Sequence, residues 1–475
     1  MRTPALPFSY KWFVLALTMA GIFMGAVDVT AVILAIPEMM ADLHANLVSI
    51  VWVLMSYTFM TTVLLLAIGR VADLYGRTRL YNIGFALFTV ASALCGLSGG
   101  PGQLIASRVL QGAGGALMLV NSWPIVTEAF PPSERGAAIG INSMVFGLGS
   151  IVGPVMGGLI LKWANWRWIF YINIPVGVAG TVAGYLYLKE LSKPPSGEKL
   201  DGVGALCFSA ALFALLLALT RGNQAGWTSA SILALLGFFV VGLLFFLHWE
   251  RRVPFPALDL GLFKNRLYNS SVASTALQSL AMYSVQFLVI YYLQAVRGNT
   301  PISAAFRFMP MPVAYALTAP FSGRISDRLG ARIPATAGLL LQSAGVYVLS
   351  TTGVLSGYGH ITIGLILTGI GAGAFFSPNT NSAMGAVDRN RLGVAAGALS
   401  TLRNTGMVVS YAAAIAVAAM SIPRDLMQSL FVGNTVRLGP GLSAAFIEGM
   451  DAALKVSLVI CLCAAGLSCV RGKER

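Results

Sequence analysis

Fourteen apolar runs divide this chain of 475 residues, and most of them reach the roughly 20 residues that a helix needs to cross a bilayer. None of the runs alternates between polar and apolar residues as a membrane β-strand does, and only a helix satisfies its own backbone hydrogen bonds in lipid within one segment. The sequence therefore predicts an all-α membrane protein with 14 transmembrane helices, and the first run is too long to be a removable signal peptide. The runs cover residues 11–34, 48–68, 80–99, 102–123, 137–160, 168–189, 202–220, 229–249, 269–293, 301–321, 333–351, 361–383, 394–420 and 452–470.

The charge content agrees with a surface that faces lipid. Only 10% of the residues are charged and 57% are hydrophobic, whereas a soluble domain has about a quarter of its residues charged. The net charge of +14 would suit a nucleic-acid-binding protein, but the basic residues follow the loops. If the N-terminus is inside, 21 Lys and Arg residues lie in cytoplasmic segments and six lie on the opposite side, which is the positive-inside pattern. We therefore expect a multi-pass protein of the plasma (inner) membrane with both termini cytoplasmic, and no nucleic-acid partner.

An internal repeat defines the organisation. Residues 69–80 read GRVADLYGRTRL and residues 323–334 read GRISDRLGARIP, so that four residues match at an offset of 254. QGAGGA at 111–116 matches TGIGAG at 368–373 at an offset of 257. An even number of helices separates the copies, which indicates a parallel duplication of a six-helix unit. The sequence predicts a six-helix bundle over 1–191, a linker and two-helix insert over 192–250, and a second six-helix bundle over 251–475.

Several of these segments resemble motifs of the major facilitator superfamily. GRVADLYGRTRL resembles its signature loop between helices 2 and 3, and LIASRVLQGAGGA (104–116) resembles its helix-4 motif. GLGSIVGPVMGG (147–158) is similar to the helix-5 motif of its antiporters. The fourteen-helix plan resembles the drug:proton antiporter branch, which includes exporters of quaternary ammonium compounds, and so do three further segments: AVDVTAVILAIP (26–37), FSPNTNSAM (376–384) and LSTLRNTG (399–406).

Asp28 is the only acidic residue well inside a predicted span. A carboxylate there costs about 2.5 kcal/mol or more, and such residues usually serve proton or ion transport. Gly21 and Gly25 share its helical face, which favours close contact with neighbouring helices. We therefore expect Asp28 to couple transport to protons, with a purely structural hydrogen bond as the alternative. Arg108 in helix 4 is its expected electrostatic counterpart, and the resemblance implies a role for Arg108 in proton transfer; pairing with backbone carbonyls is the alternative.

The second copy lacks both charges, because Met282 and Leu365 stand opposite Asp28 and Arg108. The sequence therefore predicts that coupling resides in the first unit and that cargo binds mainly in the second. Polar and aromatic side chains within the spans are the candidate cargo contacts: Tyr57, Asn121, Asn142, Tyr283, Gln286, Tyr315, Phe375, Asn379, Arg403 and Asn404. No acidic residue lies deep in the second unit, which argues against export of dications and leaves monocations, neutral amphiphiles or lipids open.

Gating residues are expected in helix 5 and in the repeated loop. Small residues four apart in a helix allow backbones to touch, and proline bends a helix; this describes Gly149, Gly153, Pro154 and Gly157. The resemblance implies that this stretch shapes the pathway. It also implies that Asp73 and Arg77 latch the two units together with Glu128 as the partner of Arg77, although loop charges that only fix topology remain possible. Asp327 is the counterpart in the second copy, where Ala331 replaces the basic residue.

The sequence thus predicts a proton-coupled antiporter that exports small amphipathic or cationic compounds by alternating access, as in multidrug efflux. A lipid or metabolite transporter of the same fold is the alternative. A membrane-embedded enzyme would need clustered nucleophiles, bases or metal ligands in the spans, and a receptor would not depend on a proton gradient. We expect no cofactor and no metal ion. The expected ligands are cargo and protons, the expected surroundings are the lipid bilayer, and the protein is expected to function as a monomer.

Overall fold

The computed structural model describes residues 9–45, 47–191, 201–421 and 438–471, which form helices and no strand. Within these ranges, 12 helices are long and apolar enough to cross a bilayer. The prediction of an all-α membrane protein is therefore confirmed. Residues 192–200, predicted as the linker into the insert, lie outside the described residues.

The two remaining predicted runs, 301–321 and 394–420, also fold as helices, although they are not among the 12. The helices are numbered here in chain order. They are α1 (Tyr10–Leu34), α2 (Ile36–Asp42), α3 (Leu47–Tyr75), α4 (Arg77–Gly96), α5 (Pro101–Ala129), α6 (Pro132–Trp163), α7 (Trp168–Tyr171), α8 (Asn173–Tyr187), α9 (Gly202–Ala225), α10 (Ala230–Glu250), α11 (Arg266–Tyr291), α12 (Pro301–Phe308), α13 (Pro310–Leu329), α14 (Arg332–Ser350), α15 (Tyr358–Gly385), α16 (Leu392–Ser421) and α17 (Pro440–Cys469).

The packing of the helices repeats along the chain. In the first unit α1 packs on α6, α3 and α4 pack on α5, and α4 packs on α8. In the second unit α11 packs on α16, α13 and α14 pack on α15, and α14 packs on α17. Each pair of the first unit thus has its equivalent in the second, as expected if the repeat in the sequence is a duplicated bundle.

The two units meet along two equivalent seams, α3 against α16 and α6 against α13. Glycines allow the backbones to touch there. A Cβ atom added to Gly136 would lie 2.5 Å from the carbonyl oxygen of Gly323, and one added to Gly397 would lie 2.7 Å from that of Leu65. Both distances are too short for any side chain, so glycine is required at these crossings.

The matched glycines of the repeated loop have the same backbone role. Gly76 follows α3 with φ of 101° and Gly330 follows α13 with φ of 80°. Residues with a side chain rarely adopt these positive values. Each glycine therefore makes the sharp turn into the next helix. The loops that follow α3, α5, α13 and α15 lie at the same end of the bundle, which we call the basic end.

The inserted helices α9 and α10 form a hairpin on the outside of the bundle. Helix α9 packs against both α3 and α16, so it covers a seam between the two units. Ser209 of α9 donates a hydrogen bond to the carbonyl oxygen of Val63 at 3.1 Å. Helix α10 packs mainly on α9, and only 11% of its most apolar stretch is buried. Its surface is consequently the most lipid-exposed of the candidate spans in the described ranges.

Candidate functional site

A fully buried ion pair lies inside the first unit. Asp28 of α1 is 0% exposed and Arg108 of α5 is 1% exposed. The Nη1 atom of Arg108 donates to Oδ2 of Asp28 at 2.5 Å. The structure therefore brings together the two charges that the sequence predicts as partners.

Two amides complete the surroundings of the Asp28 carboxylate. Gln111 of α5 donates to Oδ1 at 2.8 Å, and Asn173 at the start of α8 donates to the same oxygen at 3.1 Å. Gln111 also accepts from Arg108 at 2.6 Å and donates to Ser92 of α4 at 2.9 Å. Donors from two other helices thus bind the carboxylate. Their hydrogen bonds offset much of the free-energy cost of burying a charge away from water.

Arg108 has three further partners besides the carboxylate and Gln111. Its Nε atom donates to the carbonyl oxygen of Val53 at 3.2 Å. The guanidinium carbon lies 4.6 Å from the ring centroid of Tyr57 and 5.7 Å from that of Phe170. Aromatic faces stabilise a desolvated cation by about 2 kcal/mol. The sequence suggested two alternatives for Arg108, an ion pair with Asp28 or pairing with a backbone carbonyl. The structure shows both contacts.

The two charges of this pair neutralise each other inside the bundle. Removing either one would leave the other buried without a counter-charge, which costs about 3–5 kcal/mol. Proton coupling at Asp28 remains a prediction.

At the basic end, Asp73 joins the two units. This residue lies in the last turn of α3, and its two carboxylate oxygens accept from the backbone N–H groups of Gly393 and Val394 at 2.8 and 2.9 Å. Those N–H groups belong to the first turn of α16 in the other unit. A carboxylate at a helix N-terminus satisfies free donors and complements the helix dipole. Asp73 therefore caps a helix across the seam.

Arg77 connects Asp73 to further groups. It donates to Asp73 at 2.6 Å, forms an ion pair with Glu128 of α5, and donates to the carbonyl oxygen of Arg389 at 2.5 Å. Glu190, after α8, accepts from the backbone N–H groups of Arg77 and Thr78 at 3.0 and 3.1 Å. Burial raises the pKa of Glu190, and the N–H groups that it accepts from act in the opposite direction.

Asp327 makes the equivalent contact in the second unit. Its carboxylate accepts from the backbone N–H groups of Gly136 at 2.8 Å and Ala137 at 3.0 Å, in the second turn of α6. Asn381 donates to it at 3.4 Å. In each unit the acid of the repeated loop thus accepts from backbone N–H groups near the start of a helix of the other unit. The second contact has no arginine equivalent to Arg77, because Ala331 stands at that position.

The predicted gating stretch of α6 lies within the first unit. A Cβ atom added to Gly149 would lie 2.7 Å from Ala26, and one added to Gly157 would lie 3.2 Å from the carbonyl oxygen of Ala31. Gly153 approaches Thr30 closely, and Pro154 lies inside the helix. These small residues bring α6 against α1, the helix that carries Asp28. A role in gating remains a prediction, and the contact supplies a route by which α1 and α6 would move together.

Arg403 of α16 lies where the second unit meets the first. Its guanidinium carbon is 5.6 Å from the ring centroid of Phe376, and its charge interacts with the hydroxyl groups of Tyr283 and Tyr315. A small cavity of about 10 Å³ lies beside it, with Trp123 of the first unit in its wall. Three predicted cargo residues, Tyr283, Tyr315 and Arg403, are therefore brought together.

The other predicted cargo contacts have different surroundings. Tyr57 lies under Arg108, Gln286 is half-buried, and Phe375 is buried on the side of α15 that faces Ala335 and Leu339. Four asparagines are engaged in hydrogen bonds: Asn121 with Leu117, Asn142 with Thr18, Asn379 with Ser271, Thr275 and Arg471, and Asn404 with Thr62. Their roles as cargo contacts remain predictions.

Sequence reasoning missed several residues of these sites. Gln111 lies one turn after Arg108 in the helix-4 motif, a spacing that would have indicated a shared face. Asn173 follows a helix break and carries no comparable pattern. Phe376, rather than its neighbour Phe375, faces Arg403. The helical periodicity of apolar residues does not show which of these two adjacent rings faces Arg403, because α15 is apolar around most of its circumference.

Comparisons with known proteins agree with the fold. The family model described as Major Facilitator Superfamily matches residues 18–411. The multidrug resistance protein Stp of Mycobacterium tuberculosis (strain CDC 1551 / Oshkosh) is 35% identical over 82% of this chain and 73% of its own length. The riboflavin transporter RibZ of Clostridioides difficile is 33% identical over 85% and 87% of the two chains.

A further relative is the tetracenomycin C resistance and export protein of Streptomyces glaucescens, 30% identical over 93% of this chain and 82% of its own. Among solved structures, the human organic anion transporter MFSD10 (TETRAN) is similar with a TM-score of 0.62, covering 96% of this chain and all of its own at 14% identity. That identity indicates a shared fold alone. The family match and the relatives together establish that this chain is a multi-pass membrane protein of the Major Facilitator Superfamily of transporters.

Proposed function

We propose that this protein is a proton-coupled antiporter that exports small amphipathic compounds by alternating access. The observation that carries the proposal is the buried Asp28–Arg108 pair, because a proton-binding carboxylate inside the bundle gives transport a means of coupling. Relatives that confer multidrug resistance or export tetracenomycin C support the efflux direction. The cationic cargo expected from the sequence has less support, since the charge at mid-span in the second unit is Arg403.

The proposed topology has 14 spans. Helices α1–α8 belong to a first bundle over 1–191, α11–α17 belong to a second over 251–475, and the segment 192–250 supplies the inserted hairpin. The positive-inside pattern assigns the basic end to the cytoplasm, with both termini there and the membrane being the plasma (inner) membrane. We propose a monomer as the working unit, since each seam lies within one chain.

The conformation in this structure is closed at the basic end, where Asp73 and Asp327 hold the seams. On the proposed topology, the cytoplasmic side is therefore shut. Protonation of Asp28 from outside leaves Arg108 without its counter-charge, which favours rearrangement of α1 and, through Gly149 and Gly153, of α6. Release of the contact between α6 and α13 then opens the cytoplasmic side for cargo, and loss of the proton restores the pair.

Transport of a metabolite or lipid by the same mechanism is the second candidate. The similarity to a riboflavin transporter favours a metabolite. A narrow cargo range would distinguish this case from efflux of many compounds, as would movement into the cell rather than out of it.

The experiment uses everted membrane vesicles with an imposed pH gradient, acid inside, and a panel of fluorescent amphiphiles. We expect concentrative uptake that stops when nigericin collapses the gradient, and that is lost in Asp28→Asn. Asp42→Asn is the matched control, because Asp42 is paired with Arg167 at the opposite end of the bundle and outside the network. Uptake that persists after nigericin would contradict proton coupling.

A further inference from the structure

Arg403 is an intramembrane cation that forms no ion pair with a carboxylate of the described residues. It lies 11 residues into α16, which places its backbone about 16 Å from the basic end at 1.5 Å per residue. In the described ranges, no acidic side chain lies within 4.0 Å of it, and its one close charge-compensating contact is the face of Phe376. Asp28, the acid at comparable depth, is already paired with Arg108.

Aromatic side chains from both units surround this charge. The ring centroids of Trp123 and Phe376 are 6.0 Å apart, and those of Tyr315 and Phe376 are 6.4 Å apart. Tyr283 continues the aromatic surface towards the opposite end of the bundle, where its ring centroid lies 5.5 Å from that of Tyr411. These rings belong to four helices of the second unit and to α5 of the first. Trp123 and Phe376 meet across the interface between the two units, and Tyr315 lies against Gly147 of α6.

The charge of Arg403 and the aromatic rings around it together favour a ligand that is both anionic and aromatic. A guanidinium in a low-dielectric site repels a cationic ligand, and the repulsion grows as water is excluded. An anionic oxygen has the opposite effect, because it accepts short, charge-assisted hydrogen bonds from the guanidinium fork. Flat aromatic systems stack on rings such as those of Phe376 and Trp123, and each such contact contributes about 0.5–1.5 kcal/mol.

We infer that the cargo is a flat aromatic compound carrying an anionic oxygen (a carboxylate, phenolate or enolate), which Arg403 binds between Phe376, Tyr283 and Tyr315. The inference rests on the proposed function and narrows its cargo. In the present conformation the cavity beside Arg403 measures about 10 Å³, far below the roughly 300 Å³ of small ligand pockets. Cargo therefore enters only when α5 moves away from α15 and α16.

Two xanthene dyes test the charge preference, because fluorescein is an anion and rhodamine 123 is a cation with the same fused ring system. Their proton-driven uptake is compared in everted vesicles, and their binding to the purified protein in nanodiscs is measured by fluorescence anisotropy. Arg403→Gln removes the charge, and Arg403→Lys retains it. Arg307→Gln is the matched control, since Arg307 makes a similar ring contact with Tyr358, 5.1 Å away, at the opposite end of the bundle.

The wild type is expected to bind and transport fluorescein in preference to rhodamine 123. Arg403→Gln should weaken fluorescein binding by about tenfold or more, as for loss of a charge-assisted hydrogen bond, while Arg403→Lys loses less and Arg307→Gln is unchanged. Gradient-driven uptake of rhodamine 123 alone would overturn this inference and leave the proposed antiporter intact. Fluorescein binding that is equal in wild type and Arg403→Gln would also overturn it. Uptake of either dye that does not depend on the gradient would instead contradict the proposed function.

Discussion

Asp28 combines two properties that rarely coincide in one side chain. It is fully buried in the first helix, and its oxygens accept hydrogen bonds from Arg108, Gln111 and Asn173. The ion pair neutralises the charge, and the amides hold the carboxylate in one position. These contacts stabilise the ionised carboxylate inside the bundle, and they are the reason that we propose Asp28 as the coupling site.

A double-mutant cycle tests the pair at the residue scale. Asp28→Asn leaves Arg108 buried without a counter-charge, and we expect a loss of about 3–5 kcal/mol in stability. The double variant Asp28→Asn with Arg108→Gln removes both charges and should recover much of that loss, because neutral amides can hydrogen-bond to each other. The thermal unfolding midpoint of the purified protein measures both effects. Additive losses in the double variant would show that the two side chains do not interact.

The sequence predicted the charged members of this site but not the neutral ones. An acid in an apolar run is conspicuous, because its insertion cost has to be offset by a partner or a function. Asn173 and Gln111 are amides, which carry no such cost and occur in many helices without a role. Arg403 lies in the segment 399–406 identified from the sequence, but the absence of a carboxylate near it among the described residues is visible only from three-dimensional distances.

At the scale of helices, each unit binds a helix of the other near its start. Asp73 caps α16, and Asp327 accepts from the second turn of α6, so the two seams close at the same end of the bundle. The first contact is reinforced by Arg77 and Glu128, and its acid is nearly fully buried. The second has Asn381 as its added donor. The two contacts are equivalent in position, and the first has more charged partners.

Removing each acid tests whether the two contacts differ in strength. Asp73→Ala removes a helix cap, which costs about 0.5–2 kcal/mol, and it also leaves the buried Arg77 with one counter-ion fewer. We therefore expect Asp73→Ala to open the basic end more than Asp327→Ala does. The probe is Ser400→Cys, in the wall of the cavity beside Arg403, in a variant whose five native cysteines are replaced by serine. The measurement is the rate at which this cysteine reacts with a membrane-impermeant maleimide added on the cytoplasmic side. A larger effect from Asp327→Ala would contradict the proposed order.

Contact between α6 and α13 is tested by a pair of glycines in one helix. A Cβ atom at Gly140 would lie 2.5 Å from the carbonyl oxygen of Ala319, whereas one at Gly158 would meet nothing within 4 Å. Overpacking costs about 1–3 kcal/mol, so Gly140→Ala should weaken the closed basic end and raise the labelling rate of Ser400→Cys. Gly158→Ala should leave that rate unchanged, and equal rates in the two variants would contradict the close seam.

The helix bounds show which parts of the fold the apolar runs predict. The central parts of the spans agree, but the last helix begins at Pro440, well before the predicted residue 452. Its first turns contain Gly441, Ser443, Glu448 and Asp451, which lower the local hydropathy, so the apolar run was predicted to begin only after them. The run 301–321 divides into α12 and α13 at Met309, next to Pro310, because a proline removes a backbone donor and favours a break.

For the whole molecule, the two units have the same packing and different chemistry. The equivalent helix pairs and the two seams follow the internal repeat, whereas the Asp28–Arg108 pair occurs only in the first unit and Arg403 with its tyrosines only in the second. The proposed proton site and the proposed cargo site are therefore on different units. Motion of one unit against the other, rather than direct contact, would then couple them.

The most direct test of this account is proton release by the purified protein when cargo binds. A compound that the vesicle assay identifies as cargo is added to weakly buffered protein, and a pH-sensitive dye reports the change. The account predicts release by the wild type and by Asp42→Asn, and none by Asp28→Asn. If Asp28→Asn still releases protons on binding the same cargo, then Asp28 is not the coupling site, and the proposed mechanism is wrong.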